Sequence, residues 1–182
     1  MLCWLVFALL FILRKKTKSA PTRRRDRSSI VGIAIQMMAY LTVWVVRRPL
    51  SIDLLPFGAV VEVSLGVVAV ALAVSSVWMT LAAVRALNRH WSLSAQLIEG
   101  HKLITSGPYR LVRHPIYAGM LGLMLATALA LSHWIAIIPA VVVFVVGTAI
   151  RVKSEEKLLR EIFGAEFEAY SRRVPVLIPH LF

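Results

Sequence analysis

Five apolar runs, at 1–13, 30–46, 54–87, 116–131 and 134–150, constrain this chain more than anything else in it. Backbone amides and carbonyls inside a bilayer have no water to bond, so a crossing segment must satisfy them internally, most simply as a helix. About 20 residues cross the hydrocarbon core, with a usual range of about 17–25. The second and fifth runs meet the lower end of that range and the fourth falls just short. The third has length to spare and can tilt, whereas the first needs help from flanking residues or a thinned bilayer. The expectation is an all-α integral membrane protein with about five transmembrane helices.

Composition agrees: 59% of the 182 residues are hydrophobic and 16% charged, against about 45–50% apolar in a soluble domain. The length suits one membrane domain, 1–182, in which 1–87 supply amino-terminal spans and a basic loop, and 91–182 supply a loop, a helical hairpin and a tail. No soluble domain of ordinary size, roughly 100–150 residues, fits beside the spans. Any active site is therefore built from helices and their connections.

A net charge of +12 would suggest nucleic acid in a soluble protein, but here the basic residues flank apolar runs, and topology explains them without a nucleic-acid partner. If the amino terminus faces outward, five crossings put the basic 14–27 cluster, the 88–115 loop and the tail on one side. Of 21 Lys and Arg residues only Arg47 and Arg48 then fall on the other, so the crowded side is cytoplasmic by the positive-inside rule. The first run lacks the basic leader and cleavage site of a secretory signal and reads as a retained anchor. Cys3 stands alone, which excludes an internal disulfide and a Cys-based zinc site. The 14–27 stretch is expected to be mobile.

Only Ser132 and His133 separate the last two runs, which implies a tight antiparallel hairpin. The loop before it and the tail after it then emerge side by side. From Glu155 the tail reads as a helix, with Leu159, Phe163 and Phe167 at four-residue spacing and Leu158, Ile162 and Tyr170 on the same face. Gly164 should weaken its middle by about 1 kcal/mol relative to alanine, and Pro175 and Pro179 mark an irregular end.

Polar chemistry concentrates in 101–119, His-Lys-Leu-Ile-Thr-Ser-Gly-Pro-Tyr-Arg-Leu-Val-Arg-His-Pro-Ile-Tyr-Ala-Gly. Loop and tail together bring His101, Tyr109, Arg113, His114, Tyr117, Arg151, Glu155 and Glu156 to one depth. Such a set can hold a polar, partly zwitterionic ligand. Carboxylates accept hydrogen bonds from an ammonium or ribose hydroxyls, an arginine fork suits a carboxylate or phosphate, and aromatic faces stack on a purine or contact a cation. Arg151 and Glu155, four apart, share a helix face.

Each of these residues also has a purely structural reading. Arg110 and Arg113 would anchor a span to lipid phosphates, and Tyr109 and Tyr117 would belong to an interfacial belt. Pro108 and Pro115 would shape a turn and start a helix, while Glu155 and Glu156 would favour a helix amino end. Their convergence is what argues for a site. The chain carries no G-x-G-x-x-G run after a strand, no Walker loop, no H-E-x-x-H and no paired cysteines. His101 and His114 have no third partner at metal-ligand spacing, so no metal is expected. Glu62 lies within the third run, where an unpaired charge costs at least about 2.5–3.5 kcal/mol; it is expected to pair with Arg47 or Arg48. His133 reads as an interfacial residue.

With those residues in view, the sequence resembles the isoprenylcysteine carboxyl methyltransferase family and the wider group of integral-membrane methyltransferases that includes phospholipid methyltransferases. The resemblance runs from about Trp91 to Pro179. It is carried by His101-Lys102-Leu103-Ile104, Ser106-Gly107-Pro108-Tyr109, Arg113-His114-Pro115-Ile116-Tyr117, Arg151 with Glu155-Glu156, Phe163-Gly164 before Tyr170, Arg173-Val174-Pro175 and Ile178-Pro179. The first three runs match only as hydrophobicity.

The resemblance implies S-adenosyl-L-methionine bound without a Rossmann fold, between the last two spans and the tail. By the same carry-over His101, Lys102, Leu103, Ile104, Tyr109, His114, Pro115, Ile116, Tyr117 and Glu155 contact that cofactor, and Glu156 joins them as part of the family's acidic run. Arg151 faces the methyl acceptor as the catalytic and substrate-binding residue. The implied acceptor is lipophilic, with a carboxylate favoured. One alternative is a membrane sterol or steroid reductase using NADPH, similar in its Arg-His-Pro-like element and in the end of its tail. The short hairpin and the compact 101–117 loop favour the methyltransferase. A second alternative is a scaffold whose basic loops bind anionic membrane lipid.

Overall fold

The computed structural model describes residues 2–15, 22–25, 28–49, 54, 58–87, 96–98 and 103–178, without side-chain detail at 10–15, 22–25 and 96–98. Each apolar run has become a helix: α1 Leu2–Lys15, α2 Ser28–Val45, α3 Ala59–Leu87, α4 Pro115–Leu131 and α5 Trp134–Phe163, with a short α6 at Ala165–Ser171. By length and composition α2, α3 and α5 can cross a membrane, and α4 is a shorter apolar helix of the same kind.

The helix ends follow local chemistry. Pro115 opens α4, where its missing N–H and fixed φ cost nothing. His133 caps α5 by accepting from the Ile135 amide at 3.4 Å. Gly164, at φ 45°, closes α5, a backbone conformation that a Cβ disfavours.

α2 packs chiefly on α5, and α3 on α4. Glycines permit the close approach, as small residues do in membrane bundles. A Cβ on Gly147 would lie 2.8 Å from the Gly32 carbonyl oxygen and 2.9 Å from the Gln36 nitrogen, and Gly119 and Gly122 sit directly against Thr80 and Ser76. The core joins Ala39, Tyr40 and Val43 of α2 to Met124 and Ala128 of α4 and Ala140 and Phe144 of α5. α1 leans on it through Trp4, whose Nε1 donates to Thr127 Oγ1 at 2.9 Å and whose ring meets Tyr40 and Trp44 edge-on. Outward, α3 exposes Val60, Val63, Val67, Val70, Val74 and Trp78, an apolar face that suits lipid as its solvent.

At one end of the bundle the Arg48 amide donates to the Leu131 carbonyl at 3.1 Å, the His133 amide to the Val46 carbonyl at 3.0 Å, and Ser132 Oγ to the Val43 carbonyl at 2.7 Å. Glu62 is bound there as expected, to Arg48 at 2.5 Å, and it accepts from the Leu54 amide at 3.0 Å. It occupies the first turn of α3, so its charge lies near a helix end.

Three expectations change. The tail helix is no separate element: α5 runs unbroken from apolar into polar sequence over 30 residues, about 45 Å at 1.5 Å per residue against a hydrocarbon core of about 30 Å. Gly164 ends that helix instead of weakening its middle. Within the basic 14–27 stretch, β1 (Thr22–Arg25) pairs antiparallel with β2 (Gln96–Ile98), so part of the segment expected to be mobile is held by backbone pairing. This ribbon holds the two strands among the described residues, and an isolated antiparallel bridge joins Arg47 to Ser132. Ser132 and His133 do form the whole link between α4 and α5, yet each helix has its larger interface elsewhere.

Candidate functional site

The site lies at the end of the bundle opposite Arg48. Gly107, at φ 62°, and Pro108 form a 3-10 turn over Gly107–Arg110 that buries Tyr109. The chain then runs to His114 alongside the tail. Arg113 and His114 amides donate to the Pro175 and Val176 carbonyls at 2.8 and 3.0 Å, and the Tyr170 hydroxyl donates to the Tyr109 carbonyl at 2.7 Å. Pro115 starts α4 at once, so His114 and Tyr117 are carried on its first turn toward the polar half of α5.

There α5 presents Arg151, Glu155 and Glu156. The Tyr117 hydroxyl donates to Glu155 Oε1. His114 bridges the two carboxylates, with Nδ1 3.4 Å from Glu155 Oε2 and Nε2 3.3 Å from Glu156 Oε1. The His114 ring stacks on Tyr117 at 5.5 Å and 11°, and the Arg151 guanidinium lies 4.6 Å from the Tyr117 ring centroid. Arg151 Nη2 is 4.0 Å from Glu155. Its Nη1 donates to Gln36 Oε1 at 2.9 Å.

The two carboxylates differ. Glu156 is 7% exposed and is held by Arg113 at 2.9 Å and Arg160 at 3.1 Å besides His114, whereas the Glu155 side chain is 26% exposed. Arg113 also donates to the Ser171 and Val174 carbonyls at 2.5 and 3.0 Å. The tail is thus strapped to the start of α4 through one guanidinium.

Burial pushes the His114 pKa down, but its hydrogen bonds to Glu155 and Glu156, with their negative charge, outweigh that and raise it above the ordinary value. Only the imidazolium donates from both nitrogens. Desolvation, helped by Glu155, holds Tyr109 as a neutral phenol. Burial likewise lifts Tyr170 to about 12, against the opposing Arg113 charge.

Of the residues singled out in the sequence, Arg113, His114, Tyr117, Arg151, Glu155 and Glu156 form one connected network. Tyr109 and Pro115 are buried beside it; Leu103, Ile104 and Ile116 are partly buried. His101 and Lys102 lie outside the described residues. Two structural readings are corrected. Arg113 is a largely buried strap for the tail and no lipid anchor, because Glu156 holds its Nε and two tail carbonyls hold its Nη1. Glu155 and Glu156 sit deep within α5, far from its amino end. Sequence reasoning missed Gln36, Thr148 and Arg160; Gln36 had a signal, as the single amide in its apolar run.

Residues 65–166 match the phospholipid methyltransferase family. The match begins inside α3, so the third run carries more than hydrophobicity. Protein-S-isoprenylcysteine O-methyltransferase B of Arabidopsis thaliana is 38% identical over 81 residues, covering 44% of this chain and 41% of that protein. The protein-S-isoprenylcysteine O-methyltransferase of Schizosaccharomyces pombe is 34% identical over 79 residues, 43% of this chain and 34% of that protein. A methanethiol S-methyltransferase of Pseudomonas deceptionensis is 35% identical over 74 residues, 40% and 27% of the respective chains. The chain thus spans less than half the length of each of these three relatives.

Proposed function

The chain belongs to the phospholipid methyltransferase family, and from that premise we propose that it transfers a methyl group from S-adenosylmethionine to a lipophilic acceptor in the membrane, an isoprenylcysteine-type carboxylate being favoured. The observation that carries this reading is the His114–Tyr117–Glu155 cluster with Arg151 beside it, at the polar end of an apolar bundle. The family is one of methyltransferases, which favours this reading over the reductase and scaffold alternatives.

The donor set fits the cofactor. Glu155 keeps part of its surface open and, with about four lone-pair sites on a carboxylate, has capacity for an ammonium or ribose hydroxyls beyond Tyr117 and His114. The stacked His114 and Tyr117 rings offer an aromatic face. The family resemblance assigns Tyr109, Leu103, Ile104, Pro115 and Ile116 to the cofactor as well, and Glu156 acts by holding His114 and Arg113. His101 and Lys102 complete the set on the strength of the family resemblance.

When bound, the sulfonium supplies an activated methyl group for in-line displacement. The chain's own part is orientation and exclusion of water. Arg151 grips an acceptor carboxylate with a two-pronged fork, leaving one lone pair aimed at the methyl group. Neither a metal nor a covalent enzyme intermediate is needed. The acceptor enters sideways from the bilayer and the cofactor from the water at the polar end, which we assign to the cytoplasm together with the 88–115 loop and the tail, the amino terminus lying outside after five crossings of a single membrane domain.

Calorimetric titration of the detergent-purified protein tests the cofactor. S-adenosylmethionine should bind saturably and Glu155→Ala should weaken it, while NADPH should not bind. Binding of NADPH alone, or unchanged affinity in the variant, contradicts the reading.

A further inference from the structure

Gln36 lies in the middle of the apolar α2 and is 1% exposed. An amide buried in such a run is costly unless hydrogen-bonded, and both of its ends are bonded to α5. Nε2 donates to Thr148 Oγ1 at 2.7 Å, and Oε1 accepts from Arg151 Nη1 at 2.9 Å. The orientation of the amide follows from chemistry, since an arginine only donates and must meet the oxygen.

α2 shapes the rest of Arg151 as well. One turn before Gln36, a Cβ on Gly32 would lie 2.5 Å from Arg151 Cγ, so the aliphatic stem of Arg151 fills the groove that this glycine leaves. The guanidinium is then set by Gln36 on one side, by the Tyr117 ring at 4.6 Å and by Glu155 at 4.0 Å. Arg151 is 5% exposed, so little of its orientation is left to solvent. The contact couples a residue at the site to a helix outside the family-matched residues 65–166.

We propose that Gln36 is a positioning residue that acts through Arg151, fixing the guanidinium plane for an anionic acceptor group, with Thr148 holding the amide in register. The inference rests on the reading that Arg151 faces the methyl acceptor, and it makes α2 part of the apparatus that selects a carboxylate. A flexible arginine still attracts an anion, but it holds the reacting oxygen in line less often. The effect therefore belongs to acceptor turnover and not to cofactor binding.

The test uses the full chain in lipid vesicles with N-acetyl-S-farnesylcysteine as the acceptor. kcat and KM for that acceptor and the Kd for S-adenosylmethionine are measured for wild type, Gln36→Met, Thr148→Val, Arg151→Lys and the Gln36→Met/Arg151→Lys pair. Methionine keeps the volume of glutamine without its hydrogen bonds, and valine keeps the volume of threonine if the first variant fails to fold. Gln36→Met should lower kcat/KM by about tenfold or more while the cofactor Kd moves by less than about twofold. Thr148→Val should act in the same direction by a smaller factor, and the double variant should be no worse than Arg151→Lys alone. Wild-type kcat/KM in both Gln36→Met and Thr148→Val beside an impaired Arg151→Lys overturns the role of Gln36 and leaves that of Arg151 standing. A parallel loss of cofactor affinity, or losses that multiply in the double variant, reduces Gln36 to a packing residue. Full activity in Arg151→Lys overturns the acceptor role of Arg151 and, with it, this inference.

Discussion

Glu155 and Glu156 are adjacent in sequence yet do different work, and the difference is one of partners. Glu155→Ala removes the more exposed carboxylate and should weaken S-adenosylmethionine binding by about 10–100-fold, the equivalent of one charge-assisted hydrogen bond, with the fold kept. Glu156→Ala takes the carboxylate from Arg113, 13% exposed, leaving it the tail carbonyls, and one of two carboxylates from His114, 7% exposed, and should destabilise the protein by up to about 3–5 kcal/mol. Thermal unfolding beside calorimetry separates the two; equal effects on stability would count against the division. The raised His114 pKa sets a pH dependence of known sign. The folded state favours the imidazolium, so its stabilisation is complete below the unfolded value of about 6.5 and is lost as pH rises through the folded value. Unfolding temperature measured upward from pH 6 should fall more steeply in wild type than in His114→Gln. Most of this network was legible in the sequence, because ionisable and aromatic side chains beside an apolar run are rarely idle. The division between the carboxylates was not, since it depends on Arg160 and on tail carbonyls that only folding brings near.

At the scale of helices, contact between backbones decides stability. Gly147→Ala forces a methyl against the Gly32 oxygen and the Gln36 nitrogen, neither of which can swing aside, and should cost about 1–3 kcal/mol. Gly66, also helical, has nothing within 4 Å of a built Cβ, so Gly66→Ala should be neutral or stabilising by up to about 1 kcal/mol. Thermal unfolding in detergent checks the pair, and a destabilised Gly66→Ala would contradict the packing described. The existence of the five apolar helices was readable from hydropathy alone. Hydropathy could not locate the end of α5, because it reports where lipid stops and not where hydrogen bonding stops; α5 continues until Gly164 turns the chain. The β1–β2 ribbon had no readable sign, since strands of four and three residues are too short to show a periodicity and backbone pairing is indifferent to charge.

For the molecule as a whole, the bundle has two unlike ends: one closed by Arg48–Glu62 and the α4–α5 link, the other carrying the site and most of the basic residues. In a Cys3→Ser background, a cysteine at Arg172 should react with a membrane-impermeant maleimide only from the cytoplasmic side of sealed vesicles, and one at Val45 only from the other. Labelling of both from one side would contradict the topology. The proposed function puts the site where a water-borne cofactor and a bilayer-borne acceptor would meet, and that is its central claim. Its most direct test is transfer of radiolabel from S-adenosylmethionine, labelled in the methyl group, to N-acetyl-S-farnesylcysteine by the purified protein in lipid vesicles. The account predicts a base-labile methyl ester that forms with wild type and falls by about 10–100-fold with Glu155→Ala when S-adenosylmethionine is held below the wild-type Kd; label reaching only thiol or amine acceptors offered in parallel would contradict the carboxylate assignment, and no transfer to any acceptor by folded, cofactor-binding protein would contradict the account itself.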